Sequence, residues 1–324
     1  MKLSKISIIL PVYNAEASVS RCLDSLCSQS YENFEIVCVE NGSTDGSLDI
    51  LQQYAARDSR VKLIHQDKVG VSVARNAALA VIQGDIVGFC DADDIYIPGA
   101  FQHIIDSFEK NKCDILITGY GYKCGTENEE LSIVAYGGED TCSGSQLQER
   151  MFKDARIKGF SWNKFFNKKM VEGVKFDDHL THAEDLHFVS QVLHLHPQCN
   201  VLISPQVTYT YYINKESATQ DPMRLLNARG QIWYMEAYEK IARLYTNDKQ
   251  KSRVIRASLF RVIFENIKHF KTHPQIVYSL AKSAQPYVVS YLLCSKLPVP
   301  FAKRLRKCLK LFYWSCVAPH CKRK

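Results

Sequence analysis

The chain has 324 residues, is 46% hydrophobic and 23% charged, and carries a formal net charge of +7. This balance excludes a disordered chain, and the length allows one large domain or two ordinary ones. Its twelve cysteines form no CxxC pair and no Cys/His set with zinc spacing, which points to reduced, mostly buried thiols.

In chain order, Lys5–Leu10 reads as a buried strand ended by Pro11, too short for the core of a signal peptide, so a cytoplasmic setting is expected. Glu16–Ser28 carries a helical stripe at Val19, Cys22, Leu23 and Leu26. Phe34–Val39 is a second apolar strand, Leu48–Ala56 a helix, Val61–Ile64 a third strand, Val73–Ile82 a helix and Ile86–Cys90 a fourth strand. Strands apolar on both faces and alternating with helices predict a parallel sheet covered on both sides, with ligands at the carboxyl ends of its strands. A strand at Asp114–Gly119 leads into a less regular stretch to about Ser143, with helices at Gln146–Phe152 and Ala183–His194 and an edge-like alternation over Val207–Tyr212. Beyond about Lys215 the pattern is almost wholly helical.

Charge is unevenly shared. Residues 216–324 hold 21 Lys/Arg against 6 Asp/Glu, whereas residues 1–215 hold 20 against 28. An acidic portion suits a bound cation better than a nucleic acid, so no nucleic-acid partner is expected, and a basic tail suits a phosphate-rich surface.

Phe89-Cys90-Asp91-Ala92-Asp93-Asp94 ends a strand with three carboxylates in four residues. A cation among them or exposure in a helix-capping turn relieves their repulsion, and the stretch alone suits both. Alternate side chains at Asp91 and Asp93 project to one side, so two oxygens can reach one divalent cation, or one a ribose and the other the metal. The turn Asn41–Gly46 can attract an anion at the following helix, although it is neither a P-loop nor a GxGxxG fingerprint. Gly70–Asn76 sets Arg75 on the first turns of a helix, either as a surface residue or aimed at a diphosphate or the Asp cluster. Glu184 and Asp185 open another helix, where they complement its dipole or supply a general base. His182 and His187 lie five apart and share no helical face well, and His194 and His196 read as structural.

Taken in order, Ile8–Asn14, Val39–Asp45, Gly70–Asn76, Asp91–Asp94 and Glu184-Asp185 resemble the inverting nucleotide-sugar glycosyltransferases of family 2, over residues 5 to about 215. The resemblance implies the α/β GT-A fold: a Rossmann-like, mostly parallel sheet with helices on both faces, in a catalytic domain over 1–215, followed by a helical basic region over 216–324. Pro11, Tyr13 and Asn14 would line the nucleotide pocket, with the Tyr13 ring against the base. Glu40 and Asn41 stand where similar enzymes often carry Asp-Asp, and Asn41 can still accept a hydrogen bond from uracil, so UDP is favoured. Arg75 would face the diphosphate. Asp91-Ala92-Asp93 is the DxD-like pair, with Asp93 the direct ligand of Mn²⁺ or Mg²⁺, Asp91 nearer the ribose, and Asp94 orienting the sugar. Asp185 matches the catalytic base, and Glu184 beside it helps to hold the acceptor. Trp162-Asn163-Lys164 recurs in similar polysaccharide transferases on the acceptor side, where Trp162 stacks on a sugar or anchors the sheet and Lys164 can meet a phosphate.

The implied reaction moves a hexose from a nucleotide-sugar donor, favoured as a UDP-sugar, to a hydroxyl of a glycan or lipid-linked acceptor in surface polysaccharide biosynthesis. Two rivals are a nucleotidyltransferase, which needs basic residues near the first strand where Pro11–Asn14 stand, and a noncatalytic sugar-binding scaffold, which should lack the acidic pair or the base. Residues 301–316 form a basic amphipathic stripe, with Phe301, Leu305, Cys308, Leu309 and Phe312 along one side. That stripe either packs on the catalytic domain or lies on an anionic membrane surface, which would make the protein peripheral at the inner face of the cell membrane.

Overall fold

The computed structural model describes residues 4–124, 131–154, 156–213, 226, 232–267, 270, 273–295, 297, 299–312 and 314–315. Its strands are β1 (Ile6–Val12), β2 (Phe34–Glu40), β3 (Val61–His65), β4 (Ile86–Phe89), β5 (Ile95–Tyr96), β6 (Ile115–Cys124), β7 (Ser132–Val134), β8 (Asp140–Ser143), β9 (Lys164–Asn167) and β10 (Asn200–Ile213). Its α-helices are α1 (Val19–Cys27), α2 (Ser47–Arg57), α3 (Val71–Leu79), α4 (Ala100–Asn111), α5 (Gly144–Lys153), α6 (Lys168–Val171), α7 (Glu184–Leu195), α8 (Tyr234–Leu244), α9 (Lys249–Ile267), α10 (Pro274–Ala284), α11 (Val288–Leu293) and α12 (Phe301–Phe312).

The chain divides into two compact units. The first comprises Met1–Leu147, Gly159–His179 and Glu184–Asn214, and the second Gln148–Lys158, Leu180–Ala183 and Lys215–Lys324.

The first unit is built on one sheet of order β3-β2-β1-β4-β9-β6-β10-β5, with β7 on β6 and β8 on β10. β3, β2, β1 and β4 are mutually parallel. Every residue of β2 is buried, as a strand covered on both faces requires. On one face α1, α2 and α4 share a core with Ile6, Ile8 and Leu10 of β1. On the other, Phe89, Phe166, Phe176 and Phe188 meet at centroid separations of 4.0–6.3 Å.

A buried carboxylate staples the first three strands. Glu35 on β2 accepts from Ser7 Oγ on β1 at 2.6 Å, from Lys62 Nζ on β3 at 2.5 Å, and from Lys5 Nζ and the Gln83 N–H. Burial alone would raise Glu35, but these donors together hold it at about 2.

Several features differ from the sequence reading. β10 is no edge strand: it runs parallel to β6 on one side and pairs with β5 and β8 on the other. Lys164–Asn167 form β9, inserted antiparallel between β4 and β6 in mid-sheet. The less regular stretch after Gly119 holds the end of β6 and the short strands β7 and β8, and α4 is an additional helix. Nine cysteines among the described residues are free, and all but the half-buried Cys27 are buried.

The strand order turns back at β1, which lies between β2 and β4. Ligands in open α/β sheets bind beyond the carboxyl ends at such a switch point. There the chain offers the turns after β1, β2 and β4.

The elements of the second unit, α8 to α12, are helical. Phe260 of α9 stacks on Tyr291 of α11 at 4.3 Å, and Ser258 Oγ donates to the Phe152 carbonyl at 2.8 Å. Arg304 of α12 is buried and donates Nη1 to the Tyr291 carbonyl at 3.3 Å and to the Cys294 carbonyl, satisfying carbonyls at the end of α11.

Candidate active site

The first wall of the site is a pair of braced turns. Pro11 is half-buried near the end of β1, and Tyr13 beyond it is exposed. Asn14 takes a left-handed conformation (φ 48°), which Asn tolerates better than most residues. Its Oδ1 accepts the Thr44 N–H at 2.8 Å, and its own N–H goes to Ser43 Oγ at 3.1 Å. Ala15 N–H to Ser47 Oγ and Glu16 N–H to Asp45 Oδ2 complete a seam between the β1–α1 and β2–α2 turns.

Glu40 and Asn41 are buried at the end of β2. Glu40 accepts the Ser43 N–H at 2.5 Å and pairs with His65 Nδ1 at 2.7 Å. Asn41 was expected at a base edge, but its amide is engaged within the protein: Oδ1 accepts the Gly70 N–H at 2.6 Å and Nδ2 donates to the Lys68 carbonyl at 2.8 Å. It clips the β3–α3 loop to β2, and only the second lone pair of Oδ1 is left for a base.

The acidic turn follows β4. Asp91 is partly exposed, with 31% of its side chain accessible. Ala92 is buried and Asp93 half-buried. Burial and then the neighbouring Asp91 push Asp93 up to about 6, with a backbone hydrogen bond and Arg21 opposing. Arg21 donates Nη2 to the Asp93 carbonyl at 2.8 Å and lies 3.9 Å over the Tyr212 ring. Asp94, expected to orient a sugar, is fully buried, so it offers a ligand no surface. Its Oδ2 accepts from the Tyr209 hydroxyl at 2.8 Å and its Oδ1 from the Tyr212 N–H at 2.7 Å. Tyr209 also receives the Asp91 N–H at 3.1 Å, so β10 shapes the whole turn. The sequence reading missed Tyr209 and Arg21; the Tyr209 alternation signalled a strand without its register.

The second wall is the start of α7. The chain enters it through Ala183 with φ 57°, an uncommon conformation for a residue with a Cβ. Asp185 Oδ1 accepts the Leu186 N–H at 2.7 Å. Burial and then Glu184 push Asp185 up to about 7, against Arg75, the Leu186 N–H and Lys164. Arg75, read as a surface residue or as aimed at a diphosphate or the Asp cluster, is buried and meets the cluster: it donates to Asp91 Oδ1 at 3.0 Å and to Glu184 Oε1 at 2.8 Å. The structure thus joins Arg75, Asp91, Glu184 and Asp185 in one charged cluster, which Lys164 faces through Asp185.

Trp162 is not offered to a sugar. It is 5% exposed and stacked against Phe160, Tyr209 and Tyr211 at centroid distances of 4.8–5.8 Å, which makes it an anchor of the sheet. Asn163 is buried, with Nδ2 on the Thr118 carbonyl at 3.2 Å. Lys164 is fully buried on β9 and donates Nζ to the Phe160 carbonyl at 2.8 Å and to Asn163 Oδ1 at 3.0 Å. Burial pushes it down to about 7, with Asp185 the opposing charge. A fully buried ammonium cannot meet a phosphate in solution.

The Asp91–Asp93 pair has the ligand chemistry that a hard divalent cation takes: two neighbouring carboxylates, of which Asp91 is partly exposed and adds to the raised proton affinity of Asp93. No group of three or more His, Cys, Asp and Glu among the described residues forms a metal site, so a cation here would draw most ligands from phosphate and water.

The chain is similar to glycosyltransferase EpsJ of Bacillus subtilis, an uncharacterized protein, at 29% identity over 223 residues, which span 68% of this chain and 64% of that one. Over 117 residues it is 39% identical to the poly(ribitol-phosphate) beta-glucosyltransferase of Bacillus spizizenii, covering 35% of this chain and 18% of that protein. Its fold matches that of S. aureus TarS 1-349 in complex with UDP, with a TM-score of 0.68 at 19% identity over 98% of this chain and 92% of that one. The mannosyltransferase PcManGT of Pyrobaculum calidifontis, solved with GDP-Man and Mn²⁺, matches with a TM-score of 0.54 at 16% identity over 98% and 84%. Residues 7–167 match the family model of glycosyl transferase family 2, and on that match the chain belongs to the family 2 glycosyltransferases.

Proposed function

We propose that the protein moves a sugar, with inversion, from a UDP-sugar to a hydroxyl of a glycan or lipid-linked acceptor in the making of a surface polysaccharide. One observation carries this reading: a single arginine donates to Asp91 of the acidic turn after β4 and to Glu184, the neighbour of Asp185, whose carboxyl is poised near neutrality. The UDP bound to TarS and the poly(ribitol-phosphate) substrate named for the Bacillus spizizenii relative favour the donor and the acceptor class.

The mechanism follows from this chain's own groups. Asp185, ionised, accepts the proton of the acceptor hydroxyl. The acceptor oxygen forms its bond to the anomeric carbon as the bond to the diphosphate oxygen breaks, and that electron pair leaves with the nucleoside diphosphate. Arg75, Lys164 and the Leu186 N–H favour the ionised base; burial and Glu184 keep it basic enough to take a proton. Asp91 and Asp93 would hold Mn²⁺ or Mg²⁺, which neutralises charge on the leaving diphosphate. The Asn14–Thr44 seam keeps the nucleotide turns in place.

We extend the reading to an anionic lipid surface as the partner of α12. That helix has three sectors: Arg304, Cys308 and Leu311 are buried, Phe301, Leu305, Leu309 and Phe312 are 41–63% exposed, and Lys303, Arg306 and Lys310 are exposed beside them. Cys308, which the sequence places in the apolar stripe, points inward with Leu311, and the outward stripe consists of the larger side chains. Exposed apolar residues flanked by cations suit an interfacial helix. Among the described residues no helix is long and apolar enough to cross a membrane.

Calorimetry with UDP and GDP in the presence of Mn²⁺ tests the donor assignment. UDP should bind at least about tenfold more tightly than GDP. Equal affinity, or preference for GDP, would remove the UDP assignment.

A further inference from the structure

We propose that Arg75 is a positioning residue: its guanidinium fork bolts the Asp91 carboxylate of the acidic turn to the Glu184 carboxylate at the start of α7, and it makes no contact of its own with donor phosphates. The consequence for catalysis rests on the sugar-transfer reading above; the geometry does not.

Nη2 donates to Asp91 Oδ1 at 3.0 Å and Nη1 to Glu184 Oε1 at 2.8 Å. The side chain is 5% exposed and lies 5.2 Å over the Phe176 ring. Its Nε is buried without a partner. Each outer nitrogen donates to a carboxylate and the third is buried, and a side chain only 5% exposed offers no open edge to a diphosphate. A lysine would supply the same charge, but only a planar fork spans two carboxylates on separate elements. The two lie far apart in sequence from Arg75, at separations of 16 and 109 residues. The fork thus fixes the turn that would receive the donor against the helix that presents Asp185.

The same cation acts on the base. The charged groups facing Asp185 are Glu184, Arg75 and Lys164, and those facing Arg75 are Asp91, Glu184 and Asp185. Arg75 is one of the influences that lower Asp185, so its removal leaves Asp185 protonated to higher pH.

Wild type, Arg75→Ala and Arg75→Lys are compared as full chains by three readouts. The first is the Asp185 carboxyl titration in the ligand-free protein by ¹³C NMR, with Asp185→Asn identifying the signal. The second is the ratio of UMP to UDP dissociation constants without metal, and the third is release of UDP from a UDP-sugar. In Arg75→Ala the titration should rise by about one unit or more, and in Arg75→Lys it should stay within about half a unit of wild type. The UMP/UDP ratio should change by less than about twofold in both, because Arg75 leaves the β-phosphate untouched. UDP release should fall at least about tenfold even in Arg75→Lys, which cannot bridge two carboxylates. A UMP/UDP ratio that collapses about tenfold makes Arg75 a phosphate ligand and overturns the proposal. So does an unmoved Asp185 titration in Arg75→Ala. If Arg75→Ala does not fold, Arg75→Lys decides, since full turnover there also overturns it. A wild type that binds neither UMP nor UDP speaks against the UDP-sugar reading, and the NMR titration then decides the role of Arg75 alone.

Discussion

At the scale of single residues, the site is a problem of unbalanced charge. Asp91, Glu184 and Asp185 surround Arg75, with Lys164 facing Asp185, and burial first and then Glu184 raise the proton affinity of Asp185 from 3.8 to about 7. The sign of its effect on stability follows. The unfolded chain releases this proton near 3.8 while the folded chain keeps it to about 7, so the folded state binds more protons between those values and loses stability as pH rises through them. Asp185→Asn should therefore be more stable than wild type at pH 8 by about 1–2 kcal/mol, with the gain gone near pH 4; urea unfolding at both pH values measures it. A gain of equal size at pH 4 would mean that burial of the ionised form is not its source. The sequence made Asp91, Glu184 and Asp185 legible as acidic motifs after a strand and at a helix start. It left Arg75 between two readings, because a fork that closes over separations of 16 and 109 residues leaves no local pattern. Trp162 was ambiguous for the same reason: an aromatic residue for sugar stacking and one for packing look alike until Phe160 and Tyr209 are seen against its ring.

At the scale of elements, the alternating core was readable because strands buried on both faces are near-continuously apolar, as Ile6–Leu10 and Phe34–Val39 are. β9 was not, since four residues are too few to display a period of two. Its insertion explains why Asn163 and Lys164 are buried in mid-sheet rather than presented to an acceptor. The alternation over Val207–Tyr212 reports which side chains face the core and says nothing about whether the strand's two hydrogen-bonding edges are filled, which they are in β10. The same limit applied to α12: its amphipathic period was plain, but which apolar residues turn inward depended on Arg304 reaching the end of α11. Because Leu309 and Phe312 are exposed, Leu309→Ser with Phe312→Ser should leave folding within about 0.5 kcal/mol of wild type. The same pair should abolish flotation of the protein with phosphatidylglycerol vesicles. Undiminished flotation of the double variant would sink the lipid reading of this face.

At the scale of the whole molecule, charge separates along the chain, with residues 1–215 holding 20 Lys/Arg against 28 Asp/Glu and residues 216–324 holding 21 against 6. Under the proposed mechanism the acidic groups converge where a cation and a base are needed, whereas the helical unit carries the cations that suit the proposed anionic surface. Membership of family 2 supplies the frame, and the Arg75 fork between Asp91 of the acidic turn and Glu184 beside Asp185 supplies the geometry on which the proposed chemistry rests. The central claim is that this chain transfers a sugar with Asp185 as the base. The most direct measurement is release of UDP from UDP-sugars by the full chain with Mn²⁺ and a glycan acceptor, in wild type and in Asp185→Asn, alongside UDP affinity by calorimetry. The account expects a rate about 10²–10⁴-fold lower in the variant with UDP affinity unchanged within about twofold. Turnover by Asp185→Asn equal to that of wild type would contradict it.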